Sequence, residues 1–309
     1  MKNFVRQRLE RRAILVRLGV AHWRAFLLLV TLMMLAVAAP TFAAEKAAAP
    51  QMLQIAGLEV AAWLPESGTP GPWPIIIFSH GFHGCATQST FLTDALARSG
   101  YAVFAPNHHD AACKNLRAWF NRPAAPFREP KEWNDATYAD RAEDVEKLLD
   151  ALSQDARFRS PPFDWQHVGL VGHSLGGYTV LELGGAWPRF KDPRVKAVLA
   201  LSPFSTPYIE QQTLRGMDAP VMYQGGTRDI GITPFVKKTG GAYDQTRAPK
   251  YFVEFDGAGH FAWTDLRDTY HAEIISYSRA FLDHYLMGKP FPPALTEPHQ
   301  GVAEVEIKQ

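Results

Sequence analysis

Cysteine is scarce in this 309-residue chain: there are two, Cys85 and Cys113. They form neither a CxxC pair nor a zinc spacing, so a redox motif and a structural zinc site are both excluded. An excess of one charge is missing too. Thirty-two Lys+Arg face 31 Asp+Glu, a formal net charge of +1. The balance is uneven along the chain: residues 1–43 hold seven basic side chains and one acid, Glu10, leaving 25 basic and 30 acidic residues beyond them. A body of that sign lacks the clustered positive charge that nucleic acid requires, so no nucleic-acid partner is expected. No repeat or low-complexity tract follows the Ala/Pro-rich stretch at 43–50. With 47% hydrophobic and 20% charged residues, disorder and fibrous architecture are also out.

A single long apolar run is present, Ala25–Ala39, after a basic stretch and before Pro40-Thr41-Phe42-Ala43-Ala44. A basic segment, a short apolar segment and small residues at its exit describe a secretory signal peptide. Thr41 and Ala43 suit the positions before a cleavage point after Ala43, with Ala44 as the alternative. The division is therefore a signal peptide over 1–43 and a catalytic domain over 44–309, exported to the periplasm or beyond. An uncleaved anchor is the other reading, and membrane contact would then be confined to this segment.

The body alternates β-rich and helical patterns. The sequence predicts strands over Gly57–Leu64, Ile75–Ser79, Tyr101–Ala105, Val168–Gly172, Val195–Ser202, Pro220–Gly225 and Tyr251–Phe255. Helices are predicted over Gln88–Ser99, Tyr138–Leu152, Leu175–Trp187 and Tyr270–Leu286. Ile75–Phe78 and Val168–Val171 are continuously apolar, as strands covered on both faces should be. This order implies an α/β fold, a mostly parallel sheet between helical layers. One connection, Pro106–Thr137, is unusually long and carries Trp119, Phe120, Phe127 and Trp133, which argues for a functional loop.

The chemistry is concentrated at Gly172-His173-Ser174-Leu175-Gly176-Gly177, a G-x-S-x-G between an apolar strand and a helix. That context makes Ser174 a nucleophile lifted out of the sheet on a tight strand-to-helix turn. A serine hydroxyl needs a base to take its proton and a carboxylate to hold that base in one tautomer. The expected chain order is serine, acid, histidine. Asp229 follows the strand ending at Gly225, and His260 follows the strand ending at Phe255; Asp256 and Asp265 are the alternative acids. Two backbone donors should meet the oxyanion: the N–H of Leu175, and that of Phe82 in the loop His80–Gly84. A rival reading places a metal among His80, His83, His108, His109 and Asp110, but no ligand spacing supports it. No metal and no cofactor are expected. His80 and His109 are then hydrogen-bonded shapers of the surrounding loops, and His173 is a packing residue rather than a second base.

Phe78–Phe82, Gly172–Gly177, Gly226–Asp229 and Gly257–His260 together resemble the α/β-hydrolase superfamily. Within it, the chain is similar to dienelactone-hydrolase-like proteins related to plasma-type platelet-activating-factor acetylhydrolases and bacterial polyester hydrolases, over approximately Leu53–Leu286. The resemblance implies a cofactor-independent carboxylic ester hydrolase that works through an acyl-enzyme on a small-molecule or polymeric ester. Dienelactone hydrolases proper carry a cysteine where this chain has Ser174. Phe204 stands where polyester hydrolases often carry a tryptophan, and with Trp119 and Phe120 it is a candidate for the substrate pocket. Only Pro203–Ala219 joins two neighbouring strands where many lipases insert a cap domain, so no large cap is expected and the site should suit short-acyl or bulky esters. A non-catalytic binding protein on the same fold, a serine peptidase and a lactone hydrolase are the alternatives. Cys85 and Cys113 lie in neighbouring loops at the carboxyl edge of the sheet, where an exported chain could join them; two buried thiols is the other outcome. The sequence gives no oligomeric state.

Overall fold

The computed structural model describes residues 48–112, 125–159, 162–247 and 249–309. Strands β1 (Gln51–Ile55), β2 (Leu58–Trp63), β3 (Trp73–Ser79), β4 (Ala102–Pro106), β5 (Phe163–His173), β6 (Val195–Leu201), β7 (Val221–Gly226), β8 (Lys250–Phe255) and β9 (Val302–Lys308) share one sheet, in the order β1-β2-β4-β3-β5-β6-β7-β8-β9. The six strands from β4 to β8 run parallel, and antiparallel partners close both ends. The helices are α1 (Thr90–Arg98), α2 (Ala139–Gln154), α3 (Leu175–Leu181), α4 (Thr206–Gln211), α5 (Thr233–Lys237), α6 (Ala242–Gln245) and α7 (His271–Met287).

Alternation along each strand divides the core. Ile75 and Ile77 face one way and pack with Val145, Leu148, Leu149 and Leu152 of α2. Ile76 and Phe78 face the other way, toward Leu92 and Leu96 of α1 and Phe281 and Leu282 of α7. Each fully buried aliphatic side chain contributes roughly 1.5–3 kcal/mol, so the apolar stripe of α2 alone is enough to dock that helix. The carboxyl ends of the parallel strands therefore emerge along one rigid edge, where ligands of open α/β sheets bind. Among the described residues no helix is long and apolar enough to cross a membrane.

Three features differ from the sequence expectation. β1 forms a hairpin with β2 across Ala56 (φ 52) and Gly57 (φ 81). A two-residue turn with both central φ positive is the usual hairpin link, but alanine in the first position hides it from a reader looking for Asn-Gly. β9 pairs antiparallel with β8, and its Glu304, Glu306 and Lys308 mask a strand pattern while blunting an edge. The helix expected over Leu175–Trp187 keeps α geometry only to Leu181, then widens into a π-turn, Glu182–Ala186. Gly185, at φ 115, ends it, in a backbone region that costs glycine little.

Candidate active site

Ser174 sits at the joint between β5 and α3 with φ 55 and ψ −114, a conformation held only if its surroundings enforce it. They do. A Cβ on Gly172 would lie 2.1 Å from the carbonyl oxygen of Gly176, and one on Gly176 would lie 2.0 Å from that of Ser79. Glycine is thus the only residue that lets the turn close against β3. The Ser174 N–H donates to the Leu201 carbonyl at 3.0 Å, which ties the elbow to β6.

The serine hydroxyl lies 2.9 Å from His260 Nε2, and His260 Nδ1 lies 3.2 Å from Asp229 Oδ1. These three residues come from the turns after β5, β7 and β8. Asp229 is buried, and its other oxygen accepts hydrogen bonds from the hydroxyls of Ser202 and, at 3.3 Å, Thr233. Ser202 also lies 2.8 Å from His260 Nδ1. Its side chain is completely buried, and its backbone holds φ 44. Proton balance fixes the tautomer: Nε2 must accept from Ser174, so Nδ1 carries the hydrogen and shares it between Asp229 and the Ser202 oxygen. The Ser202 hydroxyl then donates to Asp229. Sequence reasoning missed Ser202, because a lone serine at a strand end has no spacing signature.

The alternative acids have other tasks. Asp265 caps α1, accepting from the N–H groups of Thr90 (3.0 Å) and Phe91 (3.1 Å) and from the Thr90 hydroxyl. Asp256 accepts from Thr227 Oγ1 at 3.2 Å. His173 is buried and receives Gln88 Nε2 on Nδ1 (3.1 Å) while its Nε2–H donates to the His260 carbonyl (2.9 Å). Burial and the neighbouring His260 push its pKa down to about 3. A neutral ring with both nitrogens engaged positions the His260 loop and takes no proton from Ser174.

Three residues of the rival metal reading, His80, His108 and Asp110, are buried and engaged in hydrogen bonds. Asp110 pairs with the buried Arg141 guanidinium, which also reaches the His80 loop. His108, rather than the expected His109, is the second buried ring: it bonds Ser79 Oγ at 2.9 Å and Asp144 at 3.0 Å, while His109 is exposed. Burial and Arg141 lower the pKa of both His80 and His108, which keeps them neutral.

A cleft of about 760 Å³ opens above Ser174 and His260, with Phe82, Phe127, Phe204, Ile232, Phe261 and Leu266 among its lining residues. Phe127 touches both Phe82 and Phe204, with ring centroids 5.0 Å apart in each pair. No lysine or arginine lines it among the described residues. Trp119 and Phe120 lie outside the described residues. Cys85 lines the cleft and is disulfide-bonded; Cys113, its expected partner, lies outside the described residues. No hydrogen bond among the described residues engages the N–H of Phe82 or of Leu175, and a Cβ on Gly81, beside Phe82, would lie 3.4 Å from Ser174 Cβ.

Sheet order and elbow together define an α/β-hydrolase. Residues 60–280 match the dienelactone hydrolase family, and the chain belongs to that family. Over 174 residues it is 26% identical to platelet-activating factor acetylhydrolase of Cavia porcellus, a stretch that covers 48% of this chain and 38% of that relative. The chain therefore spans well under half the length of that curated relative. Its fold is similar to that of a ferulic acid esterase from Streptomyces cinnamoneus, with a TM-score of 0.62 and 21% identity over 82% of this chain and 89% of that one.

Proposed function

We propose that the protein is an exported serine hydrolase that cleaves uncharged carboxylic esters through an acyl-enzyme on Ser174. The observation that carries this reading is the continuous line from Ser174 Oγ through His260 to Asp229. His260 Nε2 takes the hydroxyl proton as Oγ adds to the ester carbonyl. The carbonyl oxygen becomes an oxyanion facing the N–H groups of Phe82 and Leu175. Collapse expels the alcohol, which leaves with the proton held on Nε2. Water then adds to the acyl group by the same route, releasing the acid and restoring the serine. Asp229 and Ser202 keep Nδ1 protonated and stabilise the imidazolium formed between steps.

The aromatic and aliphatic walls of the cleft favour apolar acyl or alcohol groups, short-acyl or bulky, and an anionic substrate would find no cationic side chain among the described lining residues. Both named relatives act on carboxylic esters by their descriptions, which agrees with this class. A disulfide at Cys85 supports export, since such bonds persist in oxidising compartments. The test is a panel of p-nitrophenyl and aryl esters assayed beside fluorophosphonate labelling. Rapid hydrolysis, with label and trapped acyl group both mapped to Ser174 by mass spectrometry, is expected. An unlabelled, inactive protein would instead indicate a binding role for the fold.

A further inference from the structure

Arg141 is on α2, its side chain has no exposure to solvent, and it does not line the cleft. A guanidinium placed so deep must have its N–H groups satisfied and its charge paired, or the fold is destabilised. Its pairing is bidentate: Nε and Nη2 each lie 3.0 Å from an oxygen of Asp110. The remaining donors go to one short segment. Nη1 donates to the His80 carbonyl at 2.7 Å and lies 3.4 Å from Ser79 Oγ, and Nη2 donates to the Gly81 carbonyl at 3.2 Å.

His80 completes the arrangement. Its Nε2 accepts from the His108 N–H at 3.1 Å, so its hydrogen is on Nδ1, which donates to the Gly81 carbonyl at 2.8 Å. With the Gly84 N–H, which closes a turn onto the same atom at 2.9 Å, three donors converge on the Gly81 oxygen, and the Arg141 guanidinium is the charged one. Across Phe82, Asp110 Oδ2 accepts the N–H of His83 at 3.2 Å. The segment is fixed on both sides of Phe82, whose own N–H has no hydrogen-bond partner among the described residues.

Geometry gives the consequence. The Gly81–Phe82 peptide is trans, and in a trans peptide the N–H points opposite to the C=O. Turning the Gly81 carbonyl toward Arg141 turns the Phe82 N–H the other way, toward the cleft that Gly81, Phe82 and Ser174 share. A cation on the carbonyl also draws electron density from the peptide, which makes its N–H the better donor. We infer that Arg141 is a positioning residue for the oxyanion hole, aiming the Phe82 N–H from behind with Asp110 as its counter-ion. The inference rests on the ester-hydrolase reading of Ser174.

A purely structural ion pair would affect stability without favouring one step of the reaction. An aimed donor matters most where negative charge develops, so its loss belongs in kcat. Lysine keeps the charge of Arg141, but its single ammonium cannot hold two carbonyls and both carboxylate oxygens. Arg141→Lys should lower kcat about ten- to a hundredfold on a p-nitrophenyl ester, somewhat less than the ~10²–10³ of an oxyanion donor removed outright. KM should change by less than a factor of about three. Affinity for an aryl trifluoromethyl ketone, whose serine adduct carries an oxyanion, should fall in step with kcat/KM. Asp110→Asn, which keeps the shape of the pair, should act in the same direction more weakly. A folded Arg141→Lys protein with wild-type kcat and wild-type inhibitor affinity overturns the inference, and so does a loss confined to KM. Failure of both variants to fold, judged by near-ultraviolet dichroism, would assign the pair to the core and also overturn it. A fault in the underlying reading looks different: Ser174→Ala would retain activity and the ketone would not inhibit the unmodified enzyme.

Discussion

Two loops flank Ser174, and they are held by opposite means. The loop after β3 is fastened by a buried cation and its carboxylate, Arg141 and Asp110. Desolvation opposes the charge on Asp110, but the adjacent guanidinium outweighs it and lowers the carboxyl pKa well below the usual range. The loop after β8 is fastened without a cation, by the Asp265 carboxylate on the N–H groups of α1 and by neutral side chains. Trp263 Nε1 donates to Gln224 Oε1 at 3.0 Å, Gln224 Nε2 donates to Ser278 Oγ at 3.1 Å, and the Ser89 hydroxyl donates to the Trp263 carbonyl at 2.6 Å. The difference follows from what each loop must do. Positive charge behind an oxyanion hole favours the transition state. Positive charge beside a base would oppose the imidazolium that the base must become. Each loop is fixed by the kind of bond its chemistry tolerates.

The sharpest way to break this comparison is to remove the group both loops serve. Ser174→Ala and His260→Ala should each lower kcat by on the order of 10⁴–10⁶, with the double variant little worse, because the pair acts as a unit. Losses that multiply in the double variant would mean that the two residues work separately. Asp229→Asn should cost on the order of 10⁴ by leaving the imidazole in the wrong tautomer. Ser202→Ala should lower kcat by about tenfold with little change in KM, as the bond to the Asp229 carboxylate, of a kind worth ~1.5–3 kcal/mol, is lost together with the hydroxyl's share of the Nδ1 hydrogen. Steady-state kinetics on both variants check the order; near-normal turnover in Asp229→Asn would remove that residue from the relay.

The ionic loop should also fail first in acid. The folded-state pKa values of His80, His108 and His173 lie below their unfolded values, as does that of Asp110. Groups of this kind contribute stability that is full above the unfolded pKa and lost as pH falls toward the folded one. Asp144, raised to about 6 by burial, works the other way: its contribution is full below the unfolded value and lost as pH rises through about 6. Burial raises Glu182, Glu146 and Glu306 as well, but below about pH 4 these carboxyls are protonated whether the chain is folded or not, so calorimetry should show Tm falling as pH drops from about 4 toward 3, where neutral imidazoles are forced to protonate. A Tm that stays level across that window would contradict the neutral state assigned to the buried rings.

Smaller changes probe the loop after β8. Trp263→Phe leaves a buried Gln224 acceptor without its indole donor and should cost about 1–3 kcal/mol of stability by chemical denaturation, with kcat within a few-fold of the parent. Least of all, Phe261→Ser and Leu266→Ser should leave kcat unchanged and raise KM a few-fold for apolar esters, since both side chains stand exposed at the rim, 56% and 75% accessible. An equal rise for a small acetate ester would show that the rim does not sort substrates.

How much of this the sequence discloses depends on the kind of signal involved. Ile75–Phe78 and Val168–Val171 announce central strands because burial on both faces demands apolar runs, and both lie in the core. Ser174, Asp229 and His260 are found by chain order and strand ends, since the fold fixes where such residues emerge. Arg141 and Ser202 give no comparable signal. An arginine inside a predicted amphipathic helix reads as surface charge, and only tertiary packing reveals that it is buried among the loops it holds. His108 and His109 are adjacent, and nothing short of the strand end's orientation tells which one turns inward.

The Asp265 cap has a consequence for how the molecule is finished. It joins the loop carrying the base to the start of α1, across 175 residues of chain, and the Asp265 N–H returns the link by donating to the Gln88 carbonyl at 2.9 Å. A chain that emerges from its amino end presents Ser174 well before His260 and Asp265. Until the late segment arrives, the first turn of α1 is uncapped, and the serine has no base to activate it. Hydrolytic competence is thus withheld from the unfinished chain and appears together with the contact that closes the fold.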